Sequence, residues 1–291
     1  MTGPAHRESD DGPEPEILVS VITPTRGRLD SLRRAMESVR RQTLPRVEHI
    51  VLGDDCPDLG RGGIREALAR EFPAARIGNL PPRADGPAYR PARTARVRNR
   101  GIATARGRFI AHLDDDNAFE PGHLASLTAV LEADAEAVAA HSWRRLFDPE
   151  GRPFVPAGLN PWMADRAASA RNYADLAGSD VFRPGSNVMR DRIRGRNGER
   201  FLLVDTSELM VRAGFHREHP FRTAYTDHEM ESGLCEDRAW CVDVIGSGHR
   251  IAESRQVTLS YAMGGYSNAV AGSALRSAPD GKDDKDGRDP S

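Results

Sequence analysis

Apolar and polar positions follow one another along this chain in two rhythms. Ile17-Leu18-Val19-Ser20-Val21-Ile22-Thr23 is a β-rich run closed by Pro24 and predicts a buried strand. Leu29, Leu32, Met36 and Val39 then recur at helical spacing, with arginines between them. Residues 47–52 predict a second strand, broken by Gly53-Asp54-Asp55-Cys56-Pro57. Gly60, Gly62 and Gly63 lead into a helix with Ile64, Ala67, Leu68 and Phe72 on one face. A short strand at 76–80, a Pro/Arg-rich loop at 81–93 and a helix at 94–104 follow. The apolar run Phe109-Ile110-Ala111-His112-Leu113 predicts a central strand, and Pro121 opens a helix that buries Leu124, Leu127, Val130 and Leu131. Residues 138–147 read as a strand turning at Asp148-Pro149-Glu150-Gly151. Over 156–198 the pattern weakens into a loop-rich stretch. It resumes with the regular run Phe201-Leu202-Leu203-Val204, a helix at 237–246 and a strand at 250–252. Strands alternating with helices predict an α/β fold, a mainly parallel sheet with helices on both faces.

Composition narrows the function. The 291 residues suffice for one large α/β domain or two small ones. A net charge of −2 gives no reason to expect nucleic acid or an anionic membrane as partner. No stretch reaches the ~20 apolar residues of a membrane span, and the polar N-terminus has no signal-peptide core, so a cytoplasmic protein is expected. Residues 1–16 and 269–291 read as disordered tails. The three cysteines have no zinc spacing and read as free thiols, with Cys56 structural. Lys282 and Lys285 are the chain's two lysines, both in the C-terminal tail, so a P-loop or Schiff-base lysine in the folded body is excluded. Heavy use of Arg and Ala beside so few lysines suggests a GC-rich bacterial genome.

Carboxylates mark the chemistry. Asp114-Asp115-Asp116 stands where a buried strand leaves the sheet, and three adjacent like charges repel unless a cation or donor array offsets them. Strand alternation would put Asp114 and Asp116 on one side and Asp115 on the other. A solvated acidic turn is the plain alternative. Asp54-Asp55 follows another strand, so in a parallel sheet both sets can line one crevice at the carboxyl edge. Glu236-Asp237 precedes a helix, where the helix dipole alone could account for it. Arg26, Arg28 and Arg98 lie near these sets, each unremarkable by itself. Together they suit a nucleoside diphosphate: carboxylates for ribose, base and a metal on the pyrophosphate, arginines for the remaining charge, and one carboxylate as base.

Several motifs, in order and spacing, resemble family 2 glycosyltransferases. They are Val19-Ser20-Val21-Ile22-Thr23-Pro24-Thr25-Arg26, Gln42-Thr43, Ile50-Val51-Leu52-Gly53-Asp54-Asp55, Arg98-Asn99-Arg100-Gly101-Ile102 and Leu113-Asp114-Asp115-Asp116. The similarity covers 18–125 and, more weakly, 201–245. It implies the GT-A fold, with a nucleotide-binding half at 17–125 and an acceptor-binding half at 126–268. It implies that Thr25, Arg26, Asp54, Asp55 and Arg98 surround the nucleotide, and that Asp114 contacts ribose or metal-bound water. Asp116 would ligate Mn²⁺ or Mg²⁺ on the diphosphate of an NDP-sugar donor. Asp237 would be the general base of an inverting transfer to an acceptor hydroxyl.

The chain departs from the family's pattern in places. Cys56-Pro57 replaces the usual Gly-Ser or Asn-Ser, and the polar stretch 217–234 separates Phe215 from Glu236. The third metal ligand has no assigned position, His228 and His249 being candidates. Acceptor choice is expected to lie in 156–198 and 217–234. The sugar, nucleotide, acceptor and oligomeric state are not legible. A sugar nucleotidyltransferase is disfavoured by the missing glycine loop and lysine. A non-catalytic nucleotide-sugar binder of the same fold stays open.

Overall fold

The computed structural model describes residues 16–82, 88–193 and 204–265. The expected tails and the regular run at 201–204 fall outside these residues, Glu16 and Val204 apart. Of the described residues, those within 1–144 and 190–260 form one compact unit, and those within 145–189 and 261–291 a second.

The first unit begins with β1 (Val19–Thr25), α1 (Leu29–Arg40), β2 (Val47–Asp54), the single turn α2 (Pro57–Gly60), α3 (Ile64–Glu71) and β3 (Ala75–Leu80). Next come α4 (Arg90–Thr104), β4 (Phe109–His112), β5 (Ala118–Phe119), α5 (His123–Ala133) and β6 (Ala137–Phe147), whose end enters the second unit. The second unit holds α6 (Arg166–Gly178) and β7 (Val188–Met189). The first unit resumes with a 3₁₀ turn (Thr206–Glu208), β8 (Leu209–Arg212), α7 (Ala213–Glu218), α8 (Asp227–Glu231), α9 (Glu236–Gly246) and β9 (Arg250–Ala262).

The sheet runs β3-β2-β1-β4-β8-β6-β9-β5. Strands β3, β2, β1 and β4 are parallel, and β8 then pairs antiparallel with both β4 and β6. Strand alternation sends neighbours to opposite faces. Ile50 joins a core with Ala95, Val97 and Ile102 of α4 and Trp240 and Val244 of α9. Val51 points the other way, to Leu32 and Met36 of α1 and Leu68 of α3. Helices therefore cover both faces, as the sequence pattern predicts. Among the described residues no helix is long and apolar enough to cross a membrane.

Three sequence readings need correction. Helix α4 starts at Arg90, not at 94, because Pro91 sits in its first turn where a missing N–H costs nothing. Strand β9 runs to Ala262, not 252. Its polar centre, Glu253-Ser254-Arg255-Gln256, hides the period, and Arg255 kinks it at φ 56°. The loop-rich stretch contains α6, whose apolar face is slight: only Ser169 and Leu176 are buried. Its legible signal was the cap, Asp165, whose carboxylate accepts from the Ala168 N–H at 2.7 Å.

In the second unit the turn after β6 closes as expected. Gly151 takes φ 80°, and Phe154 N–H donates to Leu146 O at 3.0 Å. Tyr173 stacks on Phe182 and Trp162 meets Tyr261 edge-on.

Two expectations follow from this packing. A Cβ on Gly107 would lie 2.6 Å from the Ser20 backbone nitrogen and 2.8 Å from Phe109 O. Gly107→Ala should therefore cost ~1–3 kcal/mol in urea unfolding. Burial also pushes the imidazoles of His49, His123 and His216 down to about 3 from an ordinary 6.5. The unfolded chain protonates them near 6.5 while the folded chain keeps them neutral. Their contribution to stability is thus complete above that value and lost as pH falls through 6 toward 3, by up to ~1.4 kcal/mol per imidazole per pH unit. Melting temperature against pH should show this acid slope, and His123→Gln should make it shallower.

Candidate functional site

Parallel register gathers three strand ends at one edge. Thr25 of β1 lies opposite Gly53 of β2, and Ile22 opposite His112 of β4. The residues just beyond, including Asp54, Asp55 and Asp114–Asp116, therefore share the carboxyl edge where open α/β sheets bind ligands.

Strand β4 ends at His112, and the three aspartates occupy the following turn, closed by Asn117 N–H on Asp114 O at 3.1 Å. Asp115 is buried and accepts from the Thr25 hydroxyl at 2.7 Å. Asp114 and Asp116 remain partly exposed, the division that strand alternation suggested. Two arginines close on this turn. Arg28 forks between Asp115 and Asp116. Arg98, only 1% exposed, pairs with Asp114 through one nitrogen and reaches Glu236 through Nε at 3.5 Å.

The loop after β2 is differently built. Asp54 receives three guanidinium groups, from Arg93 at 2.6 Å, Arg96 at 3.0 Å and Arg26 at 3.5 Å. Asp55 takes φ 48°, and its N–H donates to Leu80 O. Cys56 is buried, with Asn79 accepting from its N–H and donating to its carbonyl. The Cys56-Pro57 departure thus makes a pinned loop, with Pro57 opening α2. Among the described residues all three cysteines are free thiols.

Asp237 reaches this edge through residues 205–208. Ser207 Oγ accepts from the Asp114 N–H at 3.1 Å and from Asn117 Nδ2 at 3.0 Å. Its neighbour Thr206 donates its hydroxyl to Asp237 Oδ2 at 3.4 Å. Asp205 caps this turn, and Glu208 completes the capping box. Asp237 lies in the first turn of α9.

Burial raises several of these acids. Asp116 rises to about 6 through burial and the nearby Asp114. Asp205 is pushed up to about 7 and Glu236 to about 8, burial again leading. Burial also raises Asp115 against the pull of Arg28. The edge is thus a partly dry, carboxylate-rich surface on which added positive charge is favourable.

Of the histidines considered as a third ligand, His228 is exposed on α8, and His249 packs against Phe215 and His219. Among the described residues no three His, Cys, Asp or Glu side chains converge as a metal cage. Sequence reading set Arg28 near the acidic sets without its partners, and did not assign roles to Arg93, Arg96, Thr206 and Ser207. The pairings span 31 to 93 positions and leave no local signal, except that Arg93 and Arg96 are three apart on one helix face.

The Arg98 pairing has a measurable consequence. Arg98→Leu leaves Asp114 and the buried Glu236 without their shared guanidinium, with Glu236 held as the neutral acid, and should cost ~1–3 kcal/mol in urea unfolding. Adding Glu236→Leu should recover a substantial part of that loss. A single substitution without effect would remove the buried pair from the account.

Comparison with known proteins bears on the family and the fold. A Bacillus subtilis (strain 168) protein, the uncharacterized glycosyltransferase YwdF, is 32% identical over 130 residues, 42% of this chain and 44% of that protein. The match thus spans less than half of that relative. Among solved structures, S. aureus TarS 1–349 superposes with a TM-score of 0.52 at 15% identity, covering 84% of this chain and 60% of that one. The Pyrobaculum calidifontis mannosyltransferase PcManGT, in complex with GDP-Man and Mn²⁺, gives 0.53 at 15% identity, covering 94% and 69%. The glycosyl transferase family 2 model matches residues 20–192. The two superpositions show a GT-A fold, and by the family match this chain belongs to glycosyl transferase family 2.

Proposed function

We propose that the protein transfers a sugar, with inversion, from a nucleoside-diphosphate sugar to an acceptor hydroxyl. The observation that carries this reading is the pair of adjacent hydroxyls at Thr206 and Ser207. One bonds Asp237 and the next bonds the Asp114 backbone, so a carboxylate base is held beside the aspartate turn. Asp54, Asp55 and Arg26 would face base and ribose. Thr25 and Arg98 would act indirectly, the first by holding Asp115 and the second by holding Asp114.

The residues suit a hard divalent cation. Such ions use one or two carboxylates and complete their shell with water and substrate phosphates, so no closed protein cage is required. Three carboxylates in the turn against two guanidinium groups also leave negative charge to be met. Asp116 and Asp114 would hold Mn²⁺ or Mg²⁺. When bound, the ion would neutralise charge on the diphosphate leaving group. Asp237 takes the proton of the acceptor hydroxyl as that oxygen bonds to the anomeric carbon. The bond from that carbon to the diphosphate oxygen breaks, and its electron pair leaves with the nucleoside diphosphate. UDP-GlcNAc, bound in a TarS structure, and GDP-Man in PcManGT support the donor class without selecting a sugar.

The test is thermal stabilisation by UDP, GDP, dTDP and CDP, each with Mn²⁺, Mg²⁺ or chelator. A bound nucleotide at about 100 times its dissociation constant should add ~2.7 kcal/mol. Asp116→Asn should abolish the metal-dependent shift. Asp237→Asn should keep the shift and lower transfer by about 10²–10⁴-fold. Normal transfer by Asp237→Asn would refute the base assignment. Stabilisation by nucleotide with no transfer to any acceptor would favour the non-catalytic binder.

A further inference from the structure

Arg28 and Arg98 grip the same acidic turn but differ in freedom. Arg98 is 1% exposed and locked between two elements, whereas the Arg28 side chain is 39% exposed. The Arg28 backbone is fixed. It is the cap residue of α1 and follows Gly27, which takes φ 75° and donates its N–H to Cys56 Sγ at 3.3 Å. Its guanidinium is therefore open to solvent on a fixed base, and its ion pairs among the described residues are those to Asp115 and Asp116. Those two carboxylates are not equally dependent on it. Asp115 is also held by the Thr25 hydroxyl at 2.7 Å. Asp116 has Arg28 as its hydrogen-bonded side-chain partner.

We propose that Arg28 is a resident counter-cation that competes with the divalent ion for Asp116, so that metal enters together with the donor diphosphate rather than ahead of it. This rests on the donor reading above. Three carboxylates against two guanidinium groups leave one negative charge in the turn, half of what a divalent ion would meet. An ion arriving alone must also displace a two-pronged charged contact and send the guanidinium into water. A diphosphate removes both obstacles. It supplies anionic oxygens to the ion, and it offers the displaced fork a matching partner. Metal and nucleotide then strengthen each other's binding by the same factor.

The experiment follows free Mn²⁺ by electron paramagnetic resonance with the full chain, with and without UDP or GDP. It compares the wild type with Arg28→Met and Arg28→Lys. In the wild type, nucleotide should tighten Mn²⁺ binding at least about tenfold, within the usual range of coupling between sites. Without nucleotide, Arg28→Met should bind Mn²⁺ about tenfold tighter than the wild type, and the gain from nucleotide should shrink to what the phosphate oxygens alone supply. Arg28→Lys, which keeps the charge but not the fork, should fall between. Arg28→Met and Arg28→Lys binding Mn²⁺ no tighter than the wild type overturns the proposal. If nucleotide still stabilises the protein in chelator, that failure is confined to the Arg28–metal competition. If no nucleotide binds under any condition, the donor reading fails as well.

Discussion

A guanidinium almost without access to water, that of Arg98, holds the candidate site together. It rises from α4 and meets Asp114 in the turn after β4 and Glu236 at the start of α9. A charge so buried is tolerable only when paired. The turn and the helix start are thereby committed to one arrangement, and Asp237, next to Glu236, is committed with them. The 205–208 turn reinforces the link with neutral hydrogen bonds, through Ser207 to one side and Thr206 to the other.

Around that link, the carboxyl edge keeps its charges in deliberate imbalance. At Asp54 guanidinium groups outnumber the carboxylate three to one, and at Asp114–Asp116 carboxylates outnumber guanidinium groups three to two. The first arrangement attracts anions and the second attracts cations, on strands that are next neighbours but one in the sheet. A nucleoside diphosphate carrying a divalent ion presents both kinds of charge. Burial raises Asp116 and Glu236, which shows how far this edge is from a solvated acidic turn.

The pinned loop after β2 illustrates tolerance within a family. Cys56-Pro57 departs from the usual small polar pair, yet Asn79 takes up the Cys56 backbone groups and Gly27 N–H finds the Cys56 sulfur. The loop's course is secured by backbone bonds and burial, and Asp54 keeps its place at the strand end. Helix α4 contributes in the same manner. Its buried positions, Ala92, Ala95, Val97 and Arg98, set the angle at which Arg93 and Arg96 reach Asp54.

Sequence by itself determined the parallel strands, most of the helices and the positions of the aspartate sets. Each of these depends on local period, on Pro and Gly punctuation, or on where an apolar run stops. It also determined that the folded body would work with arginine and not lysine. Tertiary structure alone decided what the charges do. Among 41 Lys and Arg residues nothing local distinguishes Arg28 from a solvated arginine, and the motif that draws attention to Arg98 does not name its partners. The pairings Arg28–Asp116 and Ser207–Asp114 join residues 88 and 93 positions apart. Charge strength is a property of burial and of partners brought in from other elements, and a linear chain carries neither until it folds.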